Sequence, residues 1–240
     1  MERALSGSGM RTHVGARTGF EWGNIYDDPE AWVRRNPDAA TLIHYFGDQL
    51  VRPDPQLGRD GPVCPFVRRA ISRHTLWVAV VPGDDITVDT MTAAVDDAFE
   101  LHRTMSTGQD ARIVAAVTVF PGLTRYERVD TAHLNRKSAV VAQGRMLGQF
   151  YPGCGISGLW NKDFRPLDAP LPMLVIRPMT TTDFPFLVER AEWLYAYLTQ
   201  VAPDLPVRLR WLIAERLQLA DVPGDAITDL RIHSVGEHAR

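Results

Sequence analysis

Two stretches of the chain are almost unbroken in apolar character: Thr75 to Val81, closed by Pro82-Gly83, and Ile113 to Phe120, closed by Pro121-Gly122. Short runs rich in β-branched residues and ended by Pro-Gly predict strands buried on both faces. Met173 to Arg177 predicts a third. Between the first two strands, Met91, Val95, Ala98, His102 and Met105 recur at steps of four, three, four and three. That spacing predicts a helix over Asp89 to Met105 with all five side chains, His102 included, on its core face. Asp130 or Thr131 can cap a second long helix running to about Phe150, with His133, Lys137, Val140, Gly144 and Leu147 on one face. A third helix is expected from Asp183 to Val201, aligned on Leu187, Ala191, Leu194 and Leu198, and a fourth from Val207 to Leu219. Upstream, Asp27 to Leu50 reads as helical, with Pro29 in its first turn and Pro37 as an interruption. Pro53, Pro55, Gly58, Gly61 and Pro62 then impose an irregular loop that ends in Val63-Cys64-Pro65-Phe66.

Strands alternating with helices imply an α+β protein, a small sheet of ferredoxin-like type packed with long helices, after an irregular N-terminal segment. The expected organisation is a flexible arm over 1–25, a single domain over 26–220 and a tail over 221–240. Composition narrows this further. The 240 residues carry a net charge of -3, with 45% hydrophobic and 23% charged residues, the range of a globular protein. No cluster of basic residues marks a nucleic-acid face, and no apolar run reaches the roughly 20 residues of a membrane span. Neither nucleic acid nor membrane is therefore an expected partner. The first residues lack the apolar core of a secretory signal. Cys64 and Cys154 are the two cysteines, too few for a disulfide scaffold or a four-cysteine zinc site. A reducing cytoplasm is the expected location, with a small-molecule substrate as partner and a homodimer as an open alternative to the monomer.

Five features carry candidate chemistry. Cys64 precedes Arg68, Arg69 and Arg73, whose charge would favour a thiolate able to serve as nucleophile, redox thiol or iron ligand; the alternative is a small buried hydrophobe anchoring the loop. His133, one turn before Lys137, can ligate iron or act as a general base, with Lys137 or Arg136 holding a carboxylate or propionate; a histidine bonded to a backbone acceptor is the competing reading. His102 interrupts an apolar stripe and needs a buried partner or a ligand. Gly144, on the expected face of His133, leaves room for a flat ligand or for close helix packing. The long loop from Gly148 to Pro166 is aromatic and glycine-rich, and Arg145 and Arg165 can clamp an anion from either side of it. Pro82-Gly83-Asp84-Asp85 lacks the spacing of a dinucleotide fingerprint, and neither Gly-x-Ser-x-Gly nor His-Glu-x-x-His occurs.

The segments Leu57-Gly58-Arg59-Asp60-Gly61-Pro62-Val63-Cys64-Pro65-Phe66, Thr75 to Val81, Met146 to Pro152 and Pro172 to Met179 resemble an uncharacterised domain family of actinobacterial biosynthetic gene clusters, over about Leu57 to Leu187. More distantly, a cysteine followed by strand, helix and apolar strand looks like the heme-dependent N-hydroxylases of the guanitoxin-pathway type. Those begin with a Pro-Cys-x-Phe segment, whereas here the proline follows the cysteine. This second resemblance implies a heme-dependent oxidoreductase of bacterial specialised metabolism that oxygenates nitrogen in a small amine or amino acid. The resemblance does not identify the residue that holds the iron; on the residues themselves His133 or His102 is the expected ligand, with Cys64 third, and Arg68, Lys137 and Arg145 are the expected anion partners, with Gly144 leaving room for the ring. The alternative from a different class is a non-catalytic small-molecule-binding or partner protein of such a cluster.

Overall fold

A computed structural model describes residues 10–158 and 161–217. Six strands, β1 (Thr12–Val14), β2 (Glu21–Asn24), β3 (Leu76–Val80), β4 (Ala115–Val119), β5 (Arg145–Phe150) and β6 (Met173–Pro178), join one mixed sheet in the order β1-β2-β3-β4-β6-β5. The main helices are α1 (Pro29–Arg35), α2 (Ala39–His44), α3 (Val67–Ser72), α4 (Val88–Met105), α5 (Glu127–Ala142), α6 (Ala191–Val201) and α7 (Val207–Leu217). This is the expected α+β class. Strands β3 and β4 are parallel and adjacent, paired from Leu76↔Ala115 to Val80↔Val119, with α4 as the crossover. Strand β6 lies between β4 and β5 and is antiparallel to both. The split β-α-β unit therefore runs from β4 through α5 to β5, not between the first two predicted strands.

Strands β3 and β4 read as continuous apolar runs because both faces of the sheet are covered. On one face Trp77, Ala79, Ala116, Leu174 and Ile176 pack with Met91, Val95, Ala98 and Leu101 of α4 and Val129, Ala132 and Val140 of α5. On the other, Leu76, Val78, Ala115, Val117 and Met173 cluster with Trp32, Leu42 and Val67 from the first three helices and with Tyr45 and Phe46 just after α2. A third cluster joins Trp193, Leu194 and Tyr197 of α6 to Val141, Met146, Leu187 and Ala214. The periodic stripe of α4 holds as read, since Met91 and His102 are both fully buried. Thr87 caps that helix through Thr90 N at 3.1 Å, and Asp28 caps α1 through Ala31 N at 2.9 Å, ahead of Pro29.

Three expectations are corrected. Residues 10–25 are not a free arm: β1 and β2 form a hairpin, and β2 adds to β3 through Gly23↔Val78. The hairpin is anchored by Asp97 of α4, which accepts from Thr18 N at 2.9 Å, Thr18 Oγ1 at 2.8 Å and Arg17 N at 3.1 Å. Gly15 is required there, because a Cβ would sit 2.5 Å from Asp97 Oδ2. The second long helix does not reach Phe150. It ends at Ala142, and Gly144, at φ +70°, turns the chain back into β5. The helix expected from Asp183 to Val201 is instead a 3₁₀ turn, Thr181–Phe186, followed by α6. The expected tail at 221–240 and the first nine residues lie outside the described residues. Among the described residues, no helix is long and apolar enough to cross a membrane.

Candidate functional site

The sheet face away from α4 and α5 is not fully covered by helices, and a cavity of about 680 Å³ remains between it and its cover. Leu76, Ala115, Val117, Met173 and Val175 form the floor; Tyr45 and Phe46, the loop through Cys64, Phe150, Phe164 and the 3₁₀ turn at Phe184 and Phe186 close over it. This volume falls in the range of small-molecule sites, and its walls are mostly aromatic and aliphatic.

Each reactive side chain is placed there by local structure. Helix α2 widens into a π-helical turn, Tyr45–Gln49, which buries both Tyr45 and Phe46; such turns concentrate at functional sites. The Pro- and Gly-rich loop returns onto the end of this turn, with Cys64 N donating to Leu50 O at 2.9 Å and Val63 N to Arg52 O at 3.0 Å. Arg59 holds the loop from inside through the carbonyls of Asp60, Pro62 and Val63 at 2.9, 3.1 and 3.3 Å. Cys64 is therefore presented to the cavity as a free, half-buried thiol.

Two further groups line the cavity. Arg177, on β6, makes a bidentate pair with Asp183 at 2.8 and 2.6 Å, and Asp183 in turn accepts from Thr180 N at 2.7 Å. Burial opposes the Arg177 charge, but the bonds to Asp183 and its negative charge outweigh it and hold the guanidinium pKa above its ordinary value. Tyr45 is 4% exposed, and its hydroxyl has no hydrogen-bond partner. Burial first, then the neighbouring Cys64 and Asp168, push the phenol pKa far up, so it stays a neutral O–H.

The histidine candidates sit elsewhere, in the layer formed by α4, α5 and the opposite sheet face. His102 Nε2 lies 3.1 Å from Val114 O, and Arg145 Nε donates to its Nδ1 at 3.3 Å. His133 Nε2 lies 3.1 Å from Leu147 O. Both rings are held neutral, their pKa lowered to about 4 by burial and then by the charge of Arg145 or Lys137. Each ring meets a backbone acceptor through Nε2, as the competing reading has it; His133 Nδ1 is buried without a partner among the described residues, and the sheet separates this ring from the cavity. Lys137 lies 4.3 Å over the Trp193 ring, and burial lowers its pKa. Gly144 is a turn residue whose Cβ position is filled by Gln200, so it leaves no slot for a flat ligand. Arg145 begins β5 beside His102 and does not meet Arg165. Arg68 is exposed and donates to Val51 O at 2.9 Å, while Arg69 and Arg73 are exposed on the same short helix. Of the candidate site side chains, Cys64 alone lines the cavity, joined by Phe150, Phe164 and Pro166 of the candidate loop. Cys154 is fully buried, forms no disulfide and interacts with Tyr151.

Tyr45, Arg59, Arg177 and Asp183 were not singled out in the sequence. Arg177 had a signal: in the alternation of β6 it falls on the face of Met173 and Val175, where a charge demands a partner.

Fold and cavity together define an α+β protein with a largely apolar cavity on one face of its sheet. The chain belongs to a family described as a domain of unknown function, DUF6875, whose profile matches residues 39–211. The match begins at α2 and runs into α7, so it contains the whole cavity and leaves β1 and β2 outside. No curated protein and no solved structure matches the chain.

Proposed function

We propose that the cavity binds heme and that the protein is a heme-dependent oxidoreductase acting on a small amine or amino acid in bacterial specialised metabolism. One observation carries the reading: Cys64 presents a free thiol to an aromatic-walled cavity of about 680 Å³. The resemblance to heme-dependent N-hydroxylases supports it, with Cys64 in place of the histidines as the residue that would hold the iron. The residues present fit such a group. A cysteine thiolate is an established heme-iron ligand, and Arg59, which bonds only backbone carbonyls among the described residues, would supply a cation for a propionate. Among the described residues, no three His, Cys, Asp or Glu side chains gather to hold a bare ion, whereas heme requires only one protein ligand on a face. When bound, heme would supply the oxygen-activating chemistry. The chain's own contributions are to ligate through Cys64, exclude water with Phe46, Phe150, Phe164 and Phe184, and offer the Tyr45 hydroxyl as a hydrogen-bond donor.

The test is an absorption spectrum of protein purified after heme supplementation. A Soret band that responds to dithionite and carbon monoxide is expected, and Cys64→Ser should abolish or shift it with little change in Tm. A colourless protein refutes heme binding; a band unchanged in Cys64→Ser refutes the ligand. A second reading, a binding protein without catalysis, is favoured by the pairing of Arg177 with Asp183 and by the lack of any histidine among the cavity-lining residues, which leaves no evident general base. Turnover of any amine by the holoprotein would exclude it.

A further inference from the structure

Beside the apolar cavity lies a polar concavity of about 680 Å³, and the two share Tyr45, Leu50, Val63 and Phe164 in their walls. We propose that this polar mouth binds the charged end of an organic cation, a primary ammonium or guanidinium group, whose apolar body extends inward, and that Asp168, Asp163 and Tyr45 select it. The proposal rests on the cavity being a small-molecule site and is independent of heme.

The mouth is lined by four carboxylates, Asp48, Asp54, Asp163 and Asp168, against two guanidinium groups, Arg52 and Arg165. Asp48 is taken by Arg52 and by His44 Nδ1 at 3.0 Å. Asp54 accepts from Gln56 N at 2.8 Å through Oδ1 alone, and it is Asp168, not Asp54, that acts on Tyr45. Arg165 is turned to backbone, donating to the carbonyls of Lys162 and Phe164. Asp168 commits only Oδ1, to Gly153 N at 2.9 Å. Its Oδ2 and the carboxylate of Asp163 therefore have no protein partner among the described residues, and both residues are exposed to an incoming ligand.

The second observation is independent of the acidic groups. The Tyr45 hydroxyl, on a side chain only 4% exposed, is unpartnered in the wall common to both concavities. Both Cys64 of the inner cavity and Asp168 of the mouth act on it electrostatically. A buried hydroxyl without a partner is unfavourable until a ligand supplies one. An ammonium or guanidinium supplies donors only, which suits a site offering the Tyr45 oxygen and two carboxylates as acceptors. The inner cavity sets the orientation. Its guanidinium groups are Arg59, bound by backbone carbonyls, and Arg177, balanced by Asp183; the uncompensated charge of Arg59 disfavours a second cation inside and directs the charged end to the mouth.

Isothermal titration of the full chain, without added heme, with n-hexylamine hydrochloride, 1-hexanol and sodium hexanoate tests the proposal. Hexylammonium should bind roughly tenfold more tightly than hexanol, the effect of one charge-assisted hydrogen bond, and hexanoate more weakly than either. Asp168→Asn keeps an acceptor for Gly153 N, and Tyr45→Phe removes a hydroxyl that bonds nothing, so both variants should fold, as a thermal melt will show. Each should lose most of the ammonium preference over hexanol, read as the ratio of the two affinities in the same variant. Hexanol bound with no preference for the amine, tighter hexanoate, or a preference intact in Asp168→Asn overturns the proposal and leaves the small-molecule site standing. Failure of all three probes to bind overturns both.

Discussion

The two buried histidines make acid stability a quantitative test of the fold. His102 is fully buried and His133 is 3% exposed. Each ring is pushed from the ordinary 6.5 to about 4, first by burial and then by a neighbouring cation. In the unfolded chain both titrate near the ordinary value. Between about pH 6.5 and about pH 4 the unfolded state thus takes up protons that the folded state refuses. Stability is fully present above that window and falls as pH drops through it. The gap of roughly 2.5 pH units is worth about 3 kcal/mol per ring, so about 6 kcal/mol for both, against the roughly 5–15 kcal/mol that holds a domain together. Urea denaturation at intervals from about pH 7.5 to about pH 4.5 should show unfolding free energy falling by up to roughly 2.7 kcal/mol per pH unit in mid-window. His102→Gln and His133→Gln keep a donor for Val114 O or Leu147 O, and each should remove about half of that slope. Asp27 and Asp97 do not confuse the result. Burial raises their pKa, but hydrogen bonds from Arg11 and His74, or from Thr18 and Arg17, outweigh it and lower both below the ordinary 3.8. Their contribution is complete above 3.8 and is lost only at lower pH. An acid slope between pH 6.5 and 4 that persists unchanged in the double variant would refute the reasoning.

Two other perturbations probe the corrected elements. Gly144→Ala places a Cβ on a left-handed residue, 2.5 Å from Gln200 Nε2, and should cost about 2 kcal/mol, a fall in Tm of about 4–8 °C, without altering ligand binding; an unchanged Tm would return Gly144 to a helix face. Asp97→Asn weakens the charge-assisted bonds that hold the β1–β2 hairpin to α4, so it should cost about 2–3 kcal/mol and accelerate amide exchange in residues 12–24 before the rest of the sheet; uniform exchange across the sheet would show that the hairpin is held by other contacts.

The sequence by itself determined the elements whose signal is local. The strands at Leu76–Val80, Ala115–Val119 and Met173–Pro178 follow from continuous apolar runs, and α4 from a stripe that repeats with helical period. The burial of His102 and His133 follows from the same periodicity. Strand β5 was illegible because Gly144 and Leu147 continue the helical spacing of α5 by coincidence; only pairing with β6, from Arg145↔Pro178 to Phe150↔Met173, decides against the helix. Strands β1 and β2, three and four residues long, carry too little pattern to be read alone, and they exist because β3 offers an edge and Asp97 an anchor. The candidate site divides along the same line. Cys64 was visible as a reactive residue type in an ordered loop, but which face of the sheet it shares, and with what, is a nonlocal fact. Tyr45 comes from a π-helical turn, Arg177 from β6 and Asp183 from a 3₁₀ turn, separated by more than a hundred residues at their widest. Periodicity reports which side of an element is buried, whereas the partner on that side is set by topology. The buried faces of α4 and α5 therefore met a packed sheet, and the cavity formed on the other side of that sheet, where the irregular loops close over it.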